Sequence, residues 1–167
     1  MLKRDIINDL IEWKNRSHHP LVLRGLRQVG KTYIVKEFGR RFYESVVYLD
    51  LRANVALHKA FEGDFDVNRM LLSISAVEPN VRFVPGKTLL IFDEVQDCAN
   101  ARSSLKYWDI DGRFDVICTG SFLGVKGFRN PYIRGVPVGY EEQCRPQICL
   151  VLPLHRWKFL EIKCEER

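Results

Sequence analysis

The chain has 167 residues, of which 46% are hydrophobic and 28% are charged. This length suits one domain with a buried core, and the composition lies in the ordinary range for a soluble globular protein. The net charge of +5 is compatible with an anionic partner, but the basic residues are spread along the chain and identify none.

The cysteines indicate free thiols rather than a cross-linked fold. They are odd in number, include no C-x-x-C pair, and are Cys98, Cys118, Cys144, Cys149 and Cys164. Neither a disulfide framework nor a cysteine metal site is therefore expected. The N-terminus has no apolar signal core, and no apolar run approaches the length of a membrane span. We expect a cytoplasmic protein without membrane contact.

Helices and strands are predicted to alternate along the chain. In chain order the elements are helix 4–15, strand 21–23, helix 31–42, strand 46–51, a helical stretch 55–77 broken near residue 63, strand 88–92, helix 99–108 and strand 114–118. The strands are apolar runs, as expected of strands buried on both faces. The pattern predicts an α/β fold, a three-layer sandwich with a mostly parallel sheet.

A glycine-rich segment between the first strand and the second helix has the pattern of a phosphate-binding loop. It fits G-x-x-x-x-G-K-[ST] and reads Gly25-Leu26-Arg27-Gln28-Val29-Gly30-Lys31-Thr32. Glycines let backbone N–H groups turn onto phosphate oxygens, and the following helix directs its positive end at the same anion. Lys31 is predicted to reach the β- and γ-phosphates of a nucleotide, and the Thr32 hydroxyl to bind Mg²⁺.

The predicted nucleotide-binding residues are therefore Gly25, Arg27, Gln28, Val29, Gly30, Lys31 and Thr32. For Arg27 two interpretations stay open: it faces the phosphates, or it is solvated or paired with an acid.

Two acidic residues follow the most apolar predicted strand. Asp93 and Glu94 come directly after Leu89-Leu90-Ile91-Phe92. A carboxylate at the end of a buried strand can hold the Mg²⁺ shell, so Asp93 joins Thr32 as a predicted metal ligand. Glu94 is placed to orient or deprotonate an attacking water and is the predicted catalytic residue. ATP and Mg²⁺ are the expected cofactors.

The fourth strand leads into Thr119-Gly120-Ser121. In P-loop proteins with a catalytic glutamate, this additional strand lies between the phosphate-loop strand and the strand that ends in Asp93. A hydroxyl at its tip would sense the γ-phosphate or position the water, and Ser121 is included in the predicted site for that reason. An ordinary glycine turn explains the segment equally well. Asp50 ends the second strand, which should lie at the far edge, and is given no catalytic role.

With these motifs the chain resembles the archaeal and bacterial AAA-like ATPases of the STAND-like signal-transduction lineage. The matching segments are 23–25, 27–32, 90–96, 101–107, 115–117, 119–121 and 137–142. The combination of Arg-Gln-Val-Gly-Lys-Thr with Asp-Glu-Val-Gln is fairly specific to this group. Its members usually pair an ATPase domain with a nuclease-like C-terminal domain.

The resemblance stops after Glu142. We expect residues 1–142 to form an AAA-like P-loop ATPase domain, incomplete at the C-terminal edge of its sheet, and residues 143–167 to be an atypical tail. A frameshift or early stop in a longer gene would produce such a tail. Its apolar run 148–152 is a candidate for the missing strand beside Leu21–Leu23, and the sequence leaves open whether it takes that place.

Two functional hypotheses follow. The first is an ATP hydrolase or an ATP-dependent conformational switch, with nucleotide as partner and with self-association or a protein partner as a further expectation. An arginine that stabilises transition-state charge would come from Arg129, Arg134 or a neighbouring chain. The second is a non-hydrolysing nucleotide-binding or interaction remnant of a longer ATPase, or a basic nucleic-acid-binding module. Nucleic-acid binding is unproven, because the sequence has no zinc-finger, helix-turn-helix or aromatic-basic signature.

Overall fold

Helices and strands alternate along the chain, as predicted. The computed structural model describes residues 2–16, 18–24, 30–120 and 149–151. The helices are α1 (Leu2–Arg16), α2 (Lys31–Phe42), α3 (Val67–Val77) and α4 (Ala99–Asp111). The strands are β1 (Leu21–Arg24), β2 (Ser45–Asp50), β3 (Thr88–Asp93), β4 (Asp115–Gly120) and β5 (Cys149–Val151). The stretch predicted to be helical in two pieces is a 3₁₀ segment, Val55–Phe61, followed by α3.

The sheet has the strand order β2-β3-β4-β1-β5, and its first four strands are parallel. Strand β4 therefore separates β1 from β3, as predicted for a P-loop fold with a catalytic glutamate. Ile91 at the centre of β3 is in register with Tyr48 of β2 and with Ile117 of β4. This order brings the end of β3 next to the end of β4 and one strand away from β1.

Helices cover both faces of the sheet, which gives the predicted three layers. Successive residues of a strand point to opposite faces. Leu89 and Ile91 pack with α1 and α2, whereas Leu90 and Phe92 pack with the 3₁₀ segment, α3 and α4. Strands β3 and β4 are buried along their whole length. Their burial explains the unbroken apolar segments, residues 89–92 in β3 and 116–118 in β4.

The C-terminal edge of the sheet carries the short strand β5. It pairs with β1 in the antiparallel direction, with Leu23 opposite Leu150. The apolar run left open by the sequence thus takes the place beside β1, where Leu21 and Leu23 are fully buried. The sheet remains mostly parallel, as predicted, with one antiparallel strand at this edge.

Helix α2 approaches the sheet closely at Gly39. A Cβ atom on this residue would lie 2.8 Å from Cγ2 of Val46 and 3.1 Å from Cδ2 of Leu89. Glycine therefore permits a helix–sheet distance that any other residue would widen. The close approach lies in the same helix whose first residue, Lys31, belongs to the predicted phosphate site.

Among the residues that the structure describes, no helix has the length and apolar character needed to cross a membrane.

Candidate nucleotide site

The start of α2 and the end of β3 meet at one edge of the sheet. Lys31 is the first residue of α2, and Asp93 is the last residue of β3. The hydroxyl of Thr32 donates to the Asp93 carboxylate, at 3.0 Å from Oδ2 and 3.2 Å from Oδ1. The carboxyl ends of parallel strands lie at a common edge of the sheet, and the contact places the start of α2 against the end of β3 at that edge.

The backbone turns sharply into α2 at Gly30. This residue has φ 88°, in the left-handed region that favours glycine, and it is exposed. Its carbonyl accepts the first helical hydrogen bond, from the N–H of Ile34 at 3.0 Å. The N–H groups of the first turn of a helix have no partner within the helix, and they carry its positive end. A helix start of this kind is favourable for an anion.

The carboxylate of Asp93 is buried and receives several hydrogen bonds. Asp93 is 7% exposed. Besides Thr32, its donors are the hydroxyl of Tyr48 at 2.6 Å, the hydroxyl of Thr119, and the backbone N–H of Glu94 at 3.1 Å. A carboxylate that is buried at this depth stays in place when such donors compensate for lost water. Asp93 is thus fixed from β2, β4 and α2 at once.

Strand alternation explains why these donors converge. Ile91 and Ile117 point to the face covered by α1 and α2. Asp93 and Thr119 lie two residues further along the same strands, so they point to that face as well. Tyr48 is in register with Ile91 on the neighbouring strand β2. The polar groups are therefore the outer end of the apolar layer beneath α2.

Lys31 is held close to both acidic residues. It is 6% exposed. Burial lowers the pKa of its ammonium group, while the charges of Glu94 and Asp93 act in the opposite direction. A lysine at this position supplies a positive charge in a partly desolvated place, where it interacts strongly with an anion.

Glu94 has an unusual backbone conformation and a charged neighbour. Its φ of 50° and ψ of 46° place a non-glycine residue in the left-handed region. Its Oε2 atom accepts a hydrogen bond from Nε2 of Gln96 and lies 3.2 Å from a guanidinium nitrogen of Arg52. Arg52 also pairs with Asp97 at 2.6 Å. These contacts hold the Glu94 side chain beside the site. A strained backbone conformation such as that of Glu94 is common among residues at functional sites.

The oxygen atoms of Thr32 and Asp93 are suitable ligands for Mg²⁺ that is bound together with phosphate groups. Mg²⁺ prefers oxygen ligands and is often held by one or two carboxylates plus the phosphates of a nucleotide. Thr32 and Asp93 supply a hydroxyl and a carboxylate in contact. Within the described ranges, no group of three or more His, Cys, Asp or Glu side chains is placed to hold a metal ion. The Thr32 hydroxyl and the Asp93 carboxylate fit Mg²⁺ that is also bound by phosphate groups.

Comparison with known proteins identifies a protein family for this chain. A family model described as an AAA domain matches residues 17–126, which is more than half of the chain. The chain belongs to this AAA domain family. Domains of the family bind nucleotides, and its ATPases generally use ATP and Mg²⁺. The finer resemblance to a STAND-like lineage stays a prediction.

The AAA domain also has a likeness to a solved structure, that of C. elegans PCH-2. The TM-score is 0.47 at 16% identity, over 72% of this chain. The chain spans 37% of the length of PCH-2. At this TM-score the likeness adds nothing to the family match. No curated protein matches the sequence significantly.

The predicted site residues fall into two groups. The structure brings together Gly30, Lys31, Thr32, Asp93 and Glu94 at one edge of the AAA domain. The others lie outside the described residues: Gly25, Arg27, Gln28, Val29, Ser121, Arg129 and Arg134.

Two neighbours of the site were not found from the sequence. Tyr48 donates to Asp93 from β2, and Arg52 contacts Glu94 from the turn that follows. The alternation of β2 could have placed Tyr48 on the α2 face. Its contact with Asp93 depends on the register between β2 and β3. Thr119 was expected in a turn after β4, but β4 extends through Gly120, and Thr119 is a buried strand residue.

Proposed function

We propose that this AAA domain binds ATP with Mg²⁺ at the edge formed by α2 and β3, and that it hydrolyses ATP or switches conformation with it. The observation that carries the proposal is the contact of Thr32 with Asp93 beside the buried Lys31. A threonine hydroxyl, a strand-end carboxylate and a lysine at one helix start supply a metal ligand, its carboxylate partner and a phosphate cation.

In this proposal each residue has a separate task. Lys31 neutralises negative charge on the β- and γ-phosphates, and the first turn of α2 orients the same groups through its N–H donors. Thr32 and Asp93 hold Mg²⁺, which when bound offsets phosphate charge and orients the γ-phosphate. Burial of Asp93 and Lys31 strengthens these interactions, because screening by water is weak at the site.

Hydrolysis would require Glu94 to accept a proton from water. Its carboxylate lies next to Asp93 in the chain, on the exposed side of the site, with 21% of the side chain accessible. Its Oε2 atom is engaged by Arg52 and Gln96. Glu94 would serve as a base after exchange of these contacts.

The engagement of Glu94 favours one second candidate, a nucleotide switch without hydrolysis. In that case ATP binding holds one conformation and nucleotide release returns the other. Release of phosphate from ATP by the purified chain distinguishes the two, because a switch of this kind produces none.

A calorimetric titration with ATP, in Mg²⁺ and in excess chelator, tests the proposal. We expect binding in Mg²⁺ that weakens when the metal is removed. Lys31→Ala is the negative control. It should lose most of the affinity for ATP because it removes the cation at the β- and γ-phosphates. Absence of ATP binding by the parent, or equal affinity in Lys31→Ala, would refute the proposed site.

A further inference from the structure

Tyr48 reaches the nucleotide site from the outer strand of the sheet. It lies in β2, the edge strand next to β3, in a sequence segment without any nucleotide-binding motif. Its hydroxyl donates to Oδ2 of Asp93 at 2.6 Å and lies 3.4 Å from Oδ2 of Asp50. The first distance is that of a strong bond to a charged acceptor, and the second is long. Asp93 is therefore the main partner of Tyr48.

The tyrosine ring is held on its face by α2. The ammonium nitrogen of Lys36 lies 3.2 Å from the centroid of the Tyr48 ring. A cation over an aromatic face is attracted by the ring, and this contact restricts where the ring can move. Lys36 follows Lys31 and Thr32 on the same helix. The ring is thus a rigid link between α2 and the carboxylate at the end of β3.

The hydrogen bonds divide the two oxygens of Asp93. Tyr48 donates to Oδ2 alone, the backbone N–H of Glu94 and the hydroxyl of Thr119 donate to Oδ1, and Thr32 reaches both. In the proposed function the Thr32 oxygen would bind Mg²⁺, so the Thr32 hydroxyl would contact both the metal and the Asp93 carboxylate. Tyr48 then keeps Oδ2 in place while Thr32 engages the metal.

We propose that Tyr48 is a positioning residue for Mg²⁺·ATP, which acts through Asp93 by fixing the orientation of its carboxylate. This inference rests on the proposed function. Groups that hydrogen-bond to a metal ligand without touching the metal typically contribute about 10- to 100-fold to metal affinity or activity. Tyr48 would not touch the nucleotide, and its effect should appear only when the metal takes part in binding.

The chain contains a matched control for this bond. The hydroxyl of Tyr43 donates to Oδ2 of Asp115 at 2.5 Å. Asp115 is 7% exposed, as Asp93 is, but it begins β4 whereas Asp93 ends β3. The two bonds therefore share the donor, the acceptor and the burial of the aspartate, although Asp115 also contacts the His18 ring at 2.8 Å, and they lie at opposite ends of their strands. Removal of either hydroxyl should have a similar effect on folding.

The experiment compares Tyr48→Phe, Tyr43→Phe and the parent by calorimetric titration with ATP, in Mg²⁺ and in chelator. We expect Tyr48→Phe to weaken binding about 10-fold or more in Mg²⁺ and to leave binding in chelator unchanged. Tyr43→Phe should match the parent in both. Thermal melting without nucleotide checks that both variants are folded.

A double-mutant cycle provides a second measurement. In an Asp93→Asn background, Tyr48→Phe should cause no further loss of the ATP affinity measured in Mg²⁺, because the partner through which it acts is changed. Parent-like binding by Tyr48→Phe, an equal loss in chelator, or an additive loss in the Asp93→Asn background would overturn the inference. If the parent itself does not bind ATP, the proposed function fails and this inference fails with it.

Discussion

The hydroxyl of Thr32 lies 3.0 Å from Oδ2 of Asp93, although the two residues are 61 positions apart in the chain. The contact joins the start of α2 to the end of β3. Strand β4 lies between β1 and β3 in the sheet, and Asp93 is at the end of β3. The Thr32–Asp93 contact is the structural basis of the proposed metal site.

Substitutions at Thr32 should distinguish the contribution of its hydroxyl to ATP binding from that of its shape. Thr32→Val keeps the volume but removes the metal ligand, so ATP affinity in Mg²⁺ should fall at least about 10-fold, the loss seen when even an outer partner of a metal site is removed. Thr32→Ser keeps the hydroxyl and should stay close to the parent. Calorimetry in Mg²⁺ measures both, and equal affinity of the valine variant would exclude Thr32 as a ligand.

Glu94→Gln tests the role of the glutamate in turnover. The amide preserves the shape and can remain near Arg52, but it cannot accept a proton from water. We expect ATP binding to be retained and phosphate release to fall about 100-fold or more, the usual contribution of a general base. A phosphate-release assay at saturating ATP is the measurement. If turnover is detectable in the parent and unchanged in the variant, Glu94 is not the base.

The left-handed conformation of Glu94 predicts an unusual order of stability. At φ 50° the backbone of a residue with a Cβ atom is strained, whereas glycine adopts this conformation freely. Glu94→Gly should therefore be more stable than Glu94→Ala by about 1 kcal/mol in urea unfolding. At the exposed helical position Lys106 the same pair of substitutions should give the opposite order, with alanine more stable. Greater stability of the alanine variant at position 94 would argue against the strained turn.

Gly39→Ala should destabilise the protein even though it lies in a helix. Alanine normally stabilises a helix relative to glycine by about 0.5–1 kcal/mol. Here the added methyl group would lie 2.8 Å from Cγ2 of Val46, so α2 must shift away from the sheet. We expect a net loss of about 1–3 kcal/mol in urea unfolding, as for other overpacked cores. Arg40→Ala, at the exposed neighbouring position, should change stability little.

The cysteines of the core should be unreactive in the folded protein. Burial raises the pKa of both the Cys98 and the Cys118 thiol, and the thiolate is the reactive form. Treatment with iodoacetamide followed by peptide mass spectrometry should leave both unlabelled under native conditions and label them after unfolding. Rapid native labelling of Cys118 would mean that the centre of β4 opens readily.

The four parallel strands and their order could be predicted from the sequence. Strands β3 and β4 are buried on both faces, so each contains an unbroken apolar segment, residues 89–92 and 116–118. The glycine-rich segment before α2 and the acids Asp93 and Glu94 at the end of β3 then identify one P-loop arrangement with β4 between β1 and β3. Local pattern and global fold agree at these positions, which is why the prediction succeeded.

Other features depend on contacts that a single sequence does not encode locally. The Tyr48–Asp93 bond requires the register of two strands that are separated by α3. The antiparallel direction of β5 rests on pairing with β1 over three residues, too short a segment to carry a pattern. The 3₁₀ form of Val55–Phe61 has nearly the same apolar spacing as an α-helix, so periodicity predicted only a helical segment.

The dependence of ATP affinity on Mg²⁺, measured for the parent, Asp93→Asn and Asp50→Asn, tests the central claim most directly. Asp50 is the matched control, because it ends β2 and is in register with Asp93. The parent and Asp50→Asn should bind ATP more tightly in Mg²⁺ than in chelator, and Asp93→Asn should lose that difference. A parent without ATP binding, or an Asp93→Asn variant with the full Mg²⁺ effect, would contradict the account.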